Sequence, residues 1–512
     1  MYGRRDLLKL GLGGALAGLG EMAARAATAQ AAPALADPIN FTPDLVADMA
    51  RDLAKRPYAA PSADLPEPFA SLTYDQYVGI RLKTEATIWG SERTGFAIEP
   101  LHRGFIFASP MELHLVDGGV ARRLVYEASH YDFGRVEVPA NMPDIGFSGF
   151  RLLQSREGSG LSEVAIFQGA SFFRALARGQ NLGVMARALS IRTADPKGEE
   201  FPLFRAIFLE KPSLATNAFI AHALLDSQSV TGAYRFTLRP GEATIIDTEL
   251  TLFPRVEIDH FGLGPMQATY LFGPIDRRRA DDVRPGVYEV TGLQILNGNG
   301  EWLWRPVANR ETLQVSAFLG ENPRGFGMLQ RDRAFESFED DEQHWERRPS
   351  LWIEPIDDWG AGMVDLVEIP SESEVNDNIV GYWRPKQNLT PGTEARFAYR
   401  QFWCWSPPER TALSEVRATF SGHGSSAKRR RFIVEFAGEI FADPQRTADV
   451  TPMLNAAPGT IIAIHPYLSH ARKTYRVAFE IDPGSDNYSE LRLVLESAGK
   501  PISETWLYRW TP

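Results

Sequence analysis

The sequence predicts an all-β fold, in which a large antiparallel β-sandwich is followed by a smaller, immunoglobulin-like β-sandwich. Two observations support this fold class. From Phe69 onward the chain consists of short stretches of alternating apolar and polar residues, which is the pattern of half-buried strands. Gly, Pro, Asn and Asp separate these stretches, and the long helical patterns that would connect parallel strands are rare.

The first residues are predicted to be an export signal and not part of the fold. Arg4 and Arg5 form a twin arginine, and a weakly apolar run of Gly, Ala and Leu follows them. This run is too short and too polar to span a membrane. Small residues then offer cleavage sites at Ala29-Gln30-Ala31 or Ala34-Leu35-Ala36. We therefore exclude about residues 1–36 from the fold, and we expect a periplasmic mature chain without membrane insertion.

Length and composition limit the organisation and the partners of the mature chain. Its length exceeds one ordinary core, so we predict domains over 37–405 and 412–512, joined by a linker at 406–411 that contains two prolines. The net charge of −11 argues against nucleic acid and anionic lipid as partners, because an acidic surface repels phosphates. Cys404 is the single cysteine, and we expect it to be a small core residue.

The predicted elements follow one another along the mature chain. A surface helix is predicted over Thr42–Lys55, with Thr42 as its N-cap. Strands of the large sandwich are predicted at Gly104–Phe107, Met111–Val116, Ala233–Leu238, Thr244–Leu250 and Arg400–Trp405. Strands of the immunoglobulin-like sandwich are predicted at Phe432–Phe436, Ile461–Ile464, Tyr475–Phe479 and Leu491–Leu495.

Tryptophan is concentrated between Trp302 and Trp405, in a segment that also contains many Asp, Glu, Arg and Asn residues. Indole faces stack on the C–H faces of pyranose rings while charged groups bind the hydroxyls, so this mixture is typical of a sugar cleft. An aromatic core with a charged surface would explain the same composition. The predicted cleft wall consists of Trp304, Trp345, Trp352, Trp359 and Trp383.

Most conventional catalytic signatures are absent from the sequence. It contains no G-x-S-x-G elbow, no P-loop and no dinucleotide fingerprint, and its nine histidines form no H-x-H or H-E-x-x-H pair. We therefore expect neither a metal nor a cofactor. Carboxylate acid/base chemistry remains, and it is the chemistry that cleavage of glycosidic bonds requires.

Six segments resemble the OpgG/OpgD family of periplasmic glucan biosynthesis proteins, and they recur in the order of that family. They are Tyr74–Tyr77, Gly169–Ala175, Leu225–Phe236, Gly298–Pro306, Glu321–Gly327 and Asp377–Val380. The resemblance implies a large β-sandwich like that of galactose mutarotase, joined to an immunoglobulin-like domain. It also implies action on β-1,2-linked glucans, with members that cleave the polymer by inversion and others that transfer and cyclise it.

The resemblance assigns the general acid to Asp377, in the Asp-Asn-Ile-Val motif. Partial burial beside Ile379 and Val380 would raise a carboxyl pKa toward the value that a general acid needs. An aspartate in a turn that caps a strand is the alternative interpretation of the same residue.

Two positions depart from the family pattern. Where hydrolytic members carry an aspartate as the base, this chain has Tyr288 followed by Glu289, so Glu289 occupies the base position. Where such enzymes carry a tyrosine thought to relay protons through water, this chain has Trp345, whose indole N–H donates but cannot accept. Tyr288 and Arg347 complete the predicted substrate-binding set. The departures favour cyclising transfer that creates an α-linkage over hydrolysis.

Several functions remain open from the sequence. They are a transglycosylase, an inverting endo-β-1,2-glucanase, a non-catalytic glucan-binding partner of a membrane glucan synthase, and a mutarotase-like enzyme that acts on sugar monomers. A mutarotase-like site commonly uses His and Glu as its acid and base, and the scattered histidines offer no clear candidate. The expected partners are β-1,2-glucan polymer and, for the third function, the synthase.

The twin-arginine prediction can be tested by replacing Arg4 and Arg5 together with Lys. Because the export machinery reads the arginine pair, we expect the doubly substituted precursor to accumulate in the cytoplasm. Cell fractionation followed by immunoblotting measures this. Normal recovery of the variant from the periplasm would show that a general secretory route is used instead.

Overall fold

The computed structural model describes residues 33–139, 141–156, 160–276, 281–408 and 411–511. Most of the secondary structure in these residues is β-strand, and most neighbouring strands run antiparallel. The predicted all-β, β-sandwich fold class is therefore confirmed. The twin arginine and the cleavage site at Ala29-Gln30-Ala31 lie outside the described residues.

The elements are numbered in chain order. The α-helices of the described residues are α1 Asp44–Ala54, α2 Tyr74–Gly79 and α3 Pro444–Thr447. Strands β1 to β17 are Leu35–Asn40, Arg81–Leu82, Phe96–Leu101, Glu112–Asp117, Val120–Leu124, Tyr131–Asp132, Gly149–Arg156, Gly160–Gln168, Phe172–Ala175, Met185–Arg187, Ser190–Ile191, Leu203–Glu210, Phe219–Asp226, Val230–Arg239, Thr244–Pro254, Phe261–Ala268 and Tyr270–Phe272. Strands β18 to β34 are Val287–Tyr288, Gly292–Leu296, Trp302–Pro306, Gln314–Glu321, Gly325–Leu329, Ser350–Pro355, Ala361–Glu368, Ile379–Pro385, Ala395–Cys404, Glu415–His423, Arg430–Ala437, Thr451–Ala457, Thr460–Ser469, Thr474–Asp482, Ser489–Ser497, Lys500–Pro501 and Thr505–Trp510.

Packing divides the described residues into two compact units. The first comprises the chain up to Met266 together with Pro355–Gly362 and Tyr382–Trp405. The second comprises Gln267–Glu354, Met363–Gly381 and Ser406–Pro512, and so includes chain on both sides of the predicted linker. The predicted domain boundaries, 37–405 and 412–512, stay a prediction.

The first unit is a sandwich of two sheets. One sheet has the order β1-β5-β4-β12-β13-β14-β15-β26, and the other contains β10-β9-β8-β7-β3. Alternation along the strands directs aromatic side chains inward, as expected for strands with one covered face. Phe167 and Phe173 of the second sheet pack against Phe236 of the first, with ring centroids 5.4 Å apart in each case. These rings are buried, so this aromatic contact is part of the core of the first unit.

The second unit contains two larger sheets. The strand order β22-β19-β20-β34-β32-β29 includes one parallel pair, β20 with β34, and the four-stranded sheet β27-β28-β31-β30 is antiparallel throughout. Phe432 and Phe479 of the four-stranded sheet pack edge-on against Trp506 of β34, with centroids 6.2 and 6.0 Å apart. These rings are buried, so they form a sandwich core near the C-terminus of the chain.

Two local predictions differ from the structure. The helix begins at Asp44, and its N-cap is Pro43 with no side-chain cap, so the predicted Thr42 cap is wrong. Pro43 is well suited to the helix start because its φ is already near the helical value. Gly104–Phe107 is a turn closed by one bridge and not a strand, because Gly104 and Phe105 both have positive φ.

Strand β1 also lies partly inside the predicted signal. Leu35 pairs with Leu124 and Asn40 with Val120, in antiparallel register with β5. Cleavage after Ala36 would remove the first two residues of this strand, whereas cleavage after Ala31 would leave it complete. The strand therefore favours the earlier of the two predicted cleavage sites.

Three further observations concern the class of protein. Within the described ranges, no helix is both long and apolar enough to cross a membrane. The same residues contain no group of three or more His, Cys, Asp or Glu side chains arranged to hold a metal ion. Cys404 is buried, as predicted.

Candidate active site

Asp377 is the last residue but one of an irregular segment that begins after β24 and ends before strand β25. Its side chain is partly buried. The Gln267 amide donates to Asp377 Oδ2 at 2.9 Å, and the Thr269 hydroxyl lies 3.5 Å from Oδ1. Neutral donors on both carboxyl oxygens orient this carboxyl group without adding a positive charge.

The irregular segment from 369 to 378 has no sheet ladder, so other groups must satisfy its backbone. Asn378 donates to the Ile369 carbonyl at 3.0 Å and accepts from the Tyr270 amide at 2.8 Å. Asn309 donates to the Ser371 carbonyl at 2.6 Å and accepts from the Ser371 amide at 3.0 Å. These side-chain bonds hold both ends of the segment that carries Asp377.

Glu289, the predicted base, lies between β18 and β19 and is fully buried. Its Oε2 accepts from the Thr269 amide at 3.2 Å, and its own amide donates to the Thr269 carbonyl at 2.9 Å. Arg348 Nη1 is 3.8 Å from Oε1. Glu289 and Asp377 thus share Thr269 as a neighbour, but Glu289 presents no exposed surface to a substrate, and its role as base stays a prediction.

Arg284 joins the Asp377 segment to two other segments. Its guanidinium group pairs with Asp282 at 2.8 Å, Asp340 at 2.8 Å and Glu374 at 2.5 Å. The hydrogen bonds that Arg284 donates to Asp282, and then to the other carboxylates, raise the pKa of Arg284 above its usual range, despite partial burial. One cation therefore connects Glu374, three residues before Asp377, to the segment that carries Trp345.

Trp345 is fully buried and begins a short 3₁₀ turn, Trp345–Arg347. The preceding residue, His344, has a left-handed conformation with φ of 48°. The indole Nε1 donates to Asp340 Oδ2 at 2.9 Å, and the Arg348 guanidinium lies 5.0 Å from the ring centroid. The single polar hydrogen of Trp345 is therefore used in an internal hydrogen bond with Asp340.

The predicted tryptophan wall is not exposed in this structure. All five indoles are buried, with exposed fractions between 0% and 5%: Trp304, Trp345, Trp352, Trp359 and Trp383. Trp352 stacks on Trp302 at 6.0 Å, and the Arg331 guanidinium covers one face of Trp304 at 3.5 Å. The prediction that these residues are stacking platforms for sugar is therefore corrected, because protein atoms already cover their faces.

The other two predicted substrate-binding residues differ in exposure. Tyr288 is buried, stacks on Tyr270 at 5.4 Å, and donates to Asp332 at 3.1 Å. Burial, and then the nearby Asp332 charge, raise the pKa of Tyr288 far above its usual range. Arg347 is about half exposed and so is open to a ligand, with its Nε 3.5 Å from Glu346.

Sequence reasoning missed the residues that position Asp377. Gln267, Thr269, Arg284 and Asn309 are isolated polar residues without a motif of their own, and their partners are distant along the chain. The one sequence signal that could have indicated them is a polar pair, Gln267 and Thr269, which follows the apolar start of strand β16.

The family described as "Periplasmic glucan biosynthesis protein, MdoG" matches residues 41–510. "Glucans biosynthesis protein G" of Vibrio cholerae serotype O1 is 44% identical over 480 residues, covering 92% of this chain and 87% of the relative. The protein of the same name from Shewanella sp. strain ANA-3 is 44% identical over 498 residues, covering 95% and 90%.

Among solved structures, this chain is similar to a galactose mutarotase related enzyme from Lactobacillus acidophilus. It is 8% identical, covers 46% of this chain and 96% of its own, and has a TM-score of 0.21. A TM-score this low bears on neither fold nor function.

The ionised state of Asp340 is expected to stabilise the protein. Burial alone would raise the pKa of Asp340, but Arg284, the Gln343 amide and the Trp345 indole hold it below its usual value. A lowered folded-state pKa stabilises the protein above the unfolded pKa, and this contribution is lost as pH falls through the folded pKa. Asp340→Asn should therefore cost about 1–3 kcal/mol at pH 7, with the difference shrinking below pH ~4.

Thermal unfolding of Asp340→Asn at pH 7 and at pH ~3 measures this effect. Asp341→Asn is the matched control, because Asp341 is the exposed neighbouring residue. An equal loss for Asp340→Asn at both pH values would show that its charge is not the source of the stabilisation.

Proposed function

The chain belongs to the MdoG family of periplasmic glucan biosynthesis proteins, and on that premise we propose that it acts on β-1,2-linked glucan with Asp377 as general acid. The family description gives the periplasm as the compartment and glucan biosynthesis as the process. One observation carries the finer proposal. Asp377 is a partly buried carboxyl that the Gln267 amide and the Thr269 hydroxyl orient.

Neutral donors of this kind suit a general acid. A guanidinium group on the carboxyl would favour its ionised form, whereas an acid must hold a proton until the leaving oxygen accepts it. The Gln267 amide and the Thr269 hydroxyl carry no charge, so they orient the carboxyl and favour the ionised form less than a guanidinium would. By contrast, Asp340 and Glu374 bind Arg284 directly, and these carboxylates are better suited to holding the segment in place.

The proposed reaction exchanges one glycosidic bond for another. Asp377 gives its proton to the glycosidic oxygen as the bond between this oxygen and the anomeric carbon breaks. A hydroxyl group of the same glucan attacks the anomeric carbon from the opposite face, so the new bond is an α-linkage and the chain closes into a ring. The proton of this hydroxyl passes to Glu289, beside Arg348, and because Glu289 is buried an intervening hydroxyl or water must carry it.

Trp345 supports transfer over hydrolysis. Hydrolysis needs a water molecule that is connected to a base, and a phenol in this position could both accept and donate a proton. The Trp345 indole can only donate, and it already donates to Asp340. A hydroxyl group of the bound polymer has a high effective concentration and can attack in place of water.

Two alternatives remain. An inverting endo-β-1,2-glucanase would use the same acid, with water as the attacking group. A non-catalytic partner of a membrane glucan synthase would hold the polymer without cleaving it. The full burial of Glu289 favours this second alternative, because the predicted base has no exposed surface that a substrate could reach.

Asp377→Asn tests the proposed acid. The amide preserves the shape but has no carboxyl proton to donate, so turnover of linear β-1,2-glucan should fall on the order of 10²- to 10⁴-fold while glucan binding persists. Product sizes are measured by mass spectrometry and binding by calorimetry. Glu372→Gln is the matched control, because Glu372 is an exposed carboxylate of the same segment and its loss should leave turnover unchanged. Equal turnover by Asp377→Asn and the unsubstituted protein would rule out Asp377 as the acid.

Trp345→Tyr tests the choice between transfer and hydrolysis. A phenol restores a group that both accepts and donates, so the share of linear, hydrolysed products should rise by about tenfold. Linkage analysis and mass distinguish rings, which carry a new α-bond and lack one water, from linear chains. Trp352→Tyr is the control, since Trp352 is equally buried and its indole bonds Glu354 instead of Asp340. If the unsubstituted chain already yields only shortened linear glucans, the proposed transfer is wrong.

A further inference from the structure

The four-stranded sheet β27-β28-β31-β30 has two different faces. One face carries Phe432 and Phe479 and packs on the sandwich core. On the opposite face, the strand register aligns side chains in rows across the strands. One of these rows contains Glu435, Arg476 and Tyr467. We call this opposite face the outer face of the sheet.

Glu435 is a fully buried carboxylate on this outer face. Arg476 Nε donates to its Oε2 at 2.6 Å. Its other oxygen, Oε1, has no hydrogen-bond partner among the residues that the structure describes. Two further cations lie near Oε1, Arg417 Nε at 4.0 Å and Arg472 Nη1 at 3.9 Å, both beyond hydrogen-bond distance.

An unpaired buried carboxylate oxygen is costly, because it has lost its water without gaining a donor. Here the cover is movable, since the side chains of Arg417 and Arg472 are 58% and 55% exposed. When these long side chains move aside, a ligand can reach Oε1. The outer face therefore combines a fixed acceptor, Glu435 Oε1, with two mobile donors above it.

The charges around Oε1 select the chemistry of the ligand. A deprotonated anion has no hydrogen to donate to Oε1 and would bring a second negative charge next to Glu435. A cation could donate, but Arg417, Arg472 and Arg476 would repel it. A neutral hydroxyl group donates to the carboxylate and accepts from a guanidinium group, so it satisfies both.

An aromatic side chain lies two strands from this acceptor, in the same row of the outer face. Tyr467 pairs with Arg476 in the strand register and is 36% exposed, and His465 lies two residues before it with its ring centroid 6.3 Å away. Phe420 lies on the same face, with Arg476 5.9 Å from its ring centroid. Aromatic rings beside hydroxyl-binding groups are suited to pyranose rings.

We propose that this outer face is a second carbohydrate-binding surface, in which Glu435, Arg417 and Arg472 bind vicinal hydroxyls of a neutral hexose chain and Tyr467 stacks on a sugar ring. The identification of this hexose chain as β-1,2-glucan rests on the proposed function. The surface holds polymer by residues separate from the Asp377 segment. It therefore favours long chains over short ones.

Hydrogen exchange with mass spectrometry tests this surface on the full mature chain carrying Asp377→Asn, so that the glucan stays intact. Long linear β-1,2-glucan should slow exchange in peptides that cover 415–423 and 460–482. In Arg417→Ala/Arg472→Ala the concentration needed for this protection should rise about tenfold, since charge-assisted hydrogen bonds are lost. Lys386→Ala/Arg396→Ala is the control. It removes two exposed charges in the first unit and should leave the glucan concentration needed for protection unchanged.

Tyr467→Ala is a second variant, which keeps all the arginines and should weaken the protection by a similar factor. Thermal unfolding establishes that each variant is folded. Exchange that glucan leaves unchanged in these peptides would overturn the proposal, and so would protection by heparin without protection by glucan. A change in sedimentation without glucan protection would also overturn it, since the face would then bind a second copy of the chain.

The result is distinguishable from failure of the proposed function. Turnover of glucan by the chain with Asp377 intact is measured in parallel. Protection without turnover would support this surface and exclude the catalytic proposal. Turnover without protection would support the catalytic proposal and exclude this surface.

Discussion

The candidate site depends on one constraint, which is that the irregular segment before strand β25 must satisfy its backbone without a sheet ladder. Asn309 and Asn378 supply the hydrogen bonds at its ends, and Thr269 donates toward its carbonyls and toward Asp377. Arg284 attaches the same segment through Glu374. The direction in which the Asp377 carboxyl points follows from these bonds, since Asp377 itself lies outside any strand.

Buried charge pairs explain why many polar residues of the second unit are not available to a ligand. Glu368 is fully buried and accepts from Arg305 at 2.9 Å and from the Ala308 amide at 2.9 Å. Glu504 is likewise buried and pairs with Arg331 at 2.8 Å. Removing one partner of such a pair would leave an uncompensated buried charge, so these residues are suited to holding strands together and not to exchanging partners with sugar.

The strands were predictable because a local signal defines them. Ala233–Leu238 and Thr244–Leu250 lie within β14 and β15, and Phe432–Phe436 and Tyr475–Phe479 lie within β28 and β31. Alternation with period two is a property of neighbouring residues, so one sequence suffices to recognise it. The turn at Gly104–Phe107 has the same composition as a strand, and its two positive φ values leave no trace in hydrophobicity.

The candidate site was predictable only where a motif marked it. Asp377 came from such a motif, and the structure surrounds it with Gln267 and Thr269, which come from β16 and the residue that follows it. Tryptophan composition cannot tell a buried indole from an open one, because both kinds of site favour large aromatic surface. Here the indoles fill the cores, and Trp345 uses its N–H on Asp340.

The central claim is that the segment bonds hold Asp377 in position to protonate a glycosidic oxygen. A crystal structure of Asp377→Asn with linear β-1,2-glucan bound tests this most directly. The claim predicts that the side chain at 377 lies about 2.6–3.2 Å from the oxygen between two bound glucose units, with the contacts to Gln267 and Thr269 retained. A glucan bound with every interglycosidic oxygen beyond hydrogen-bond reach of residue 377 would contradict it.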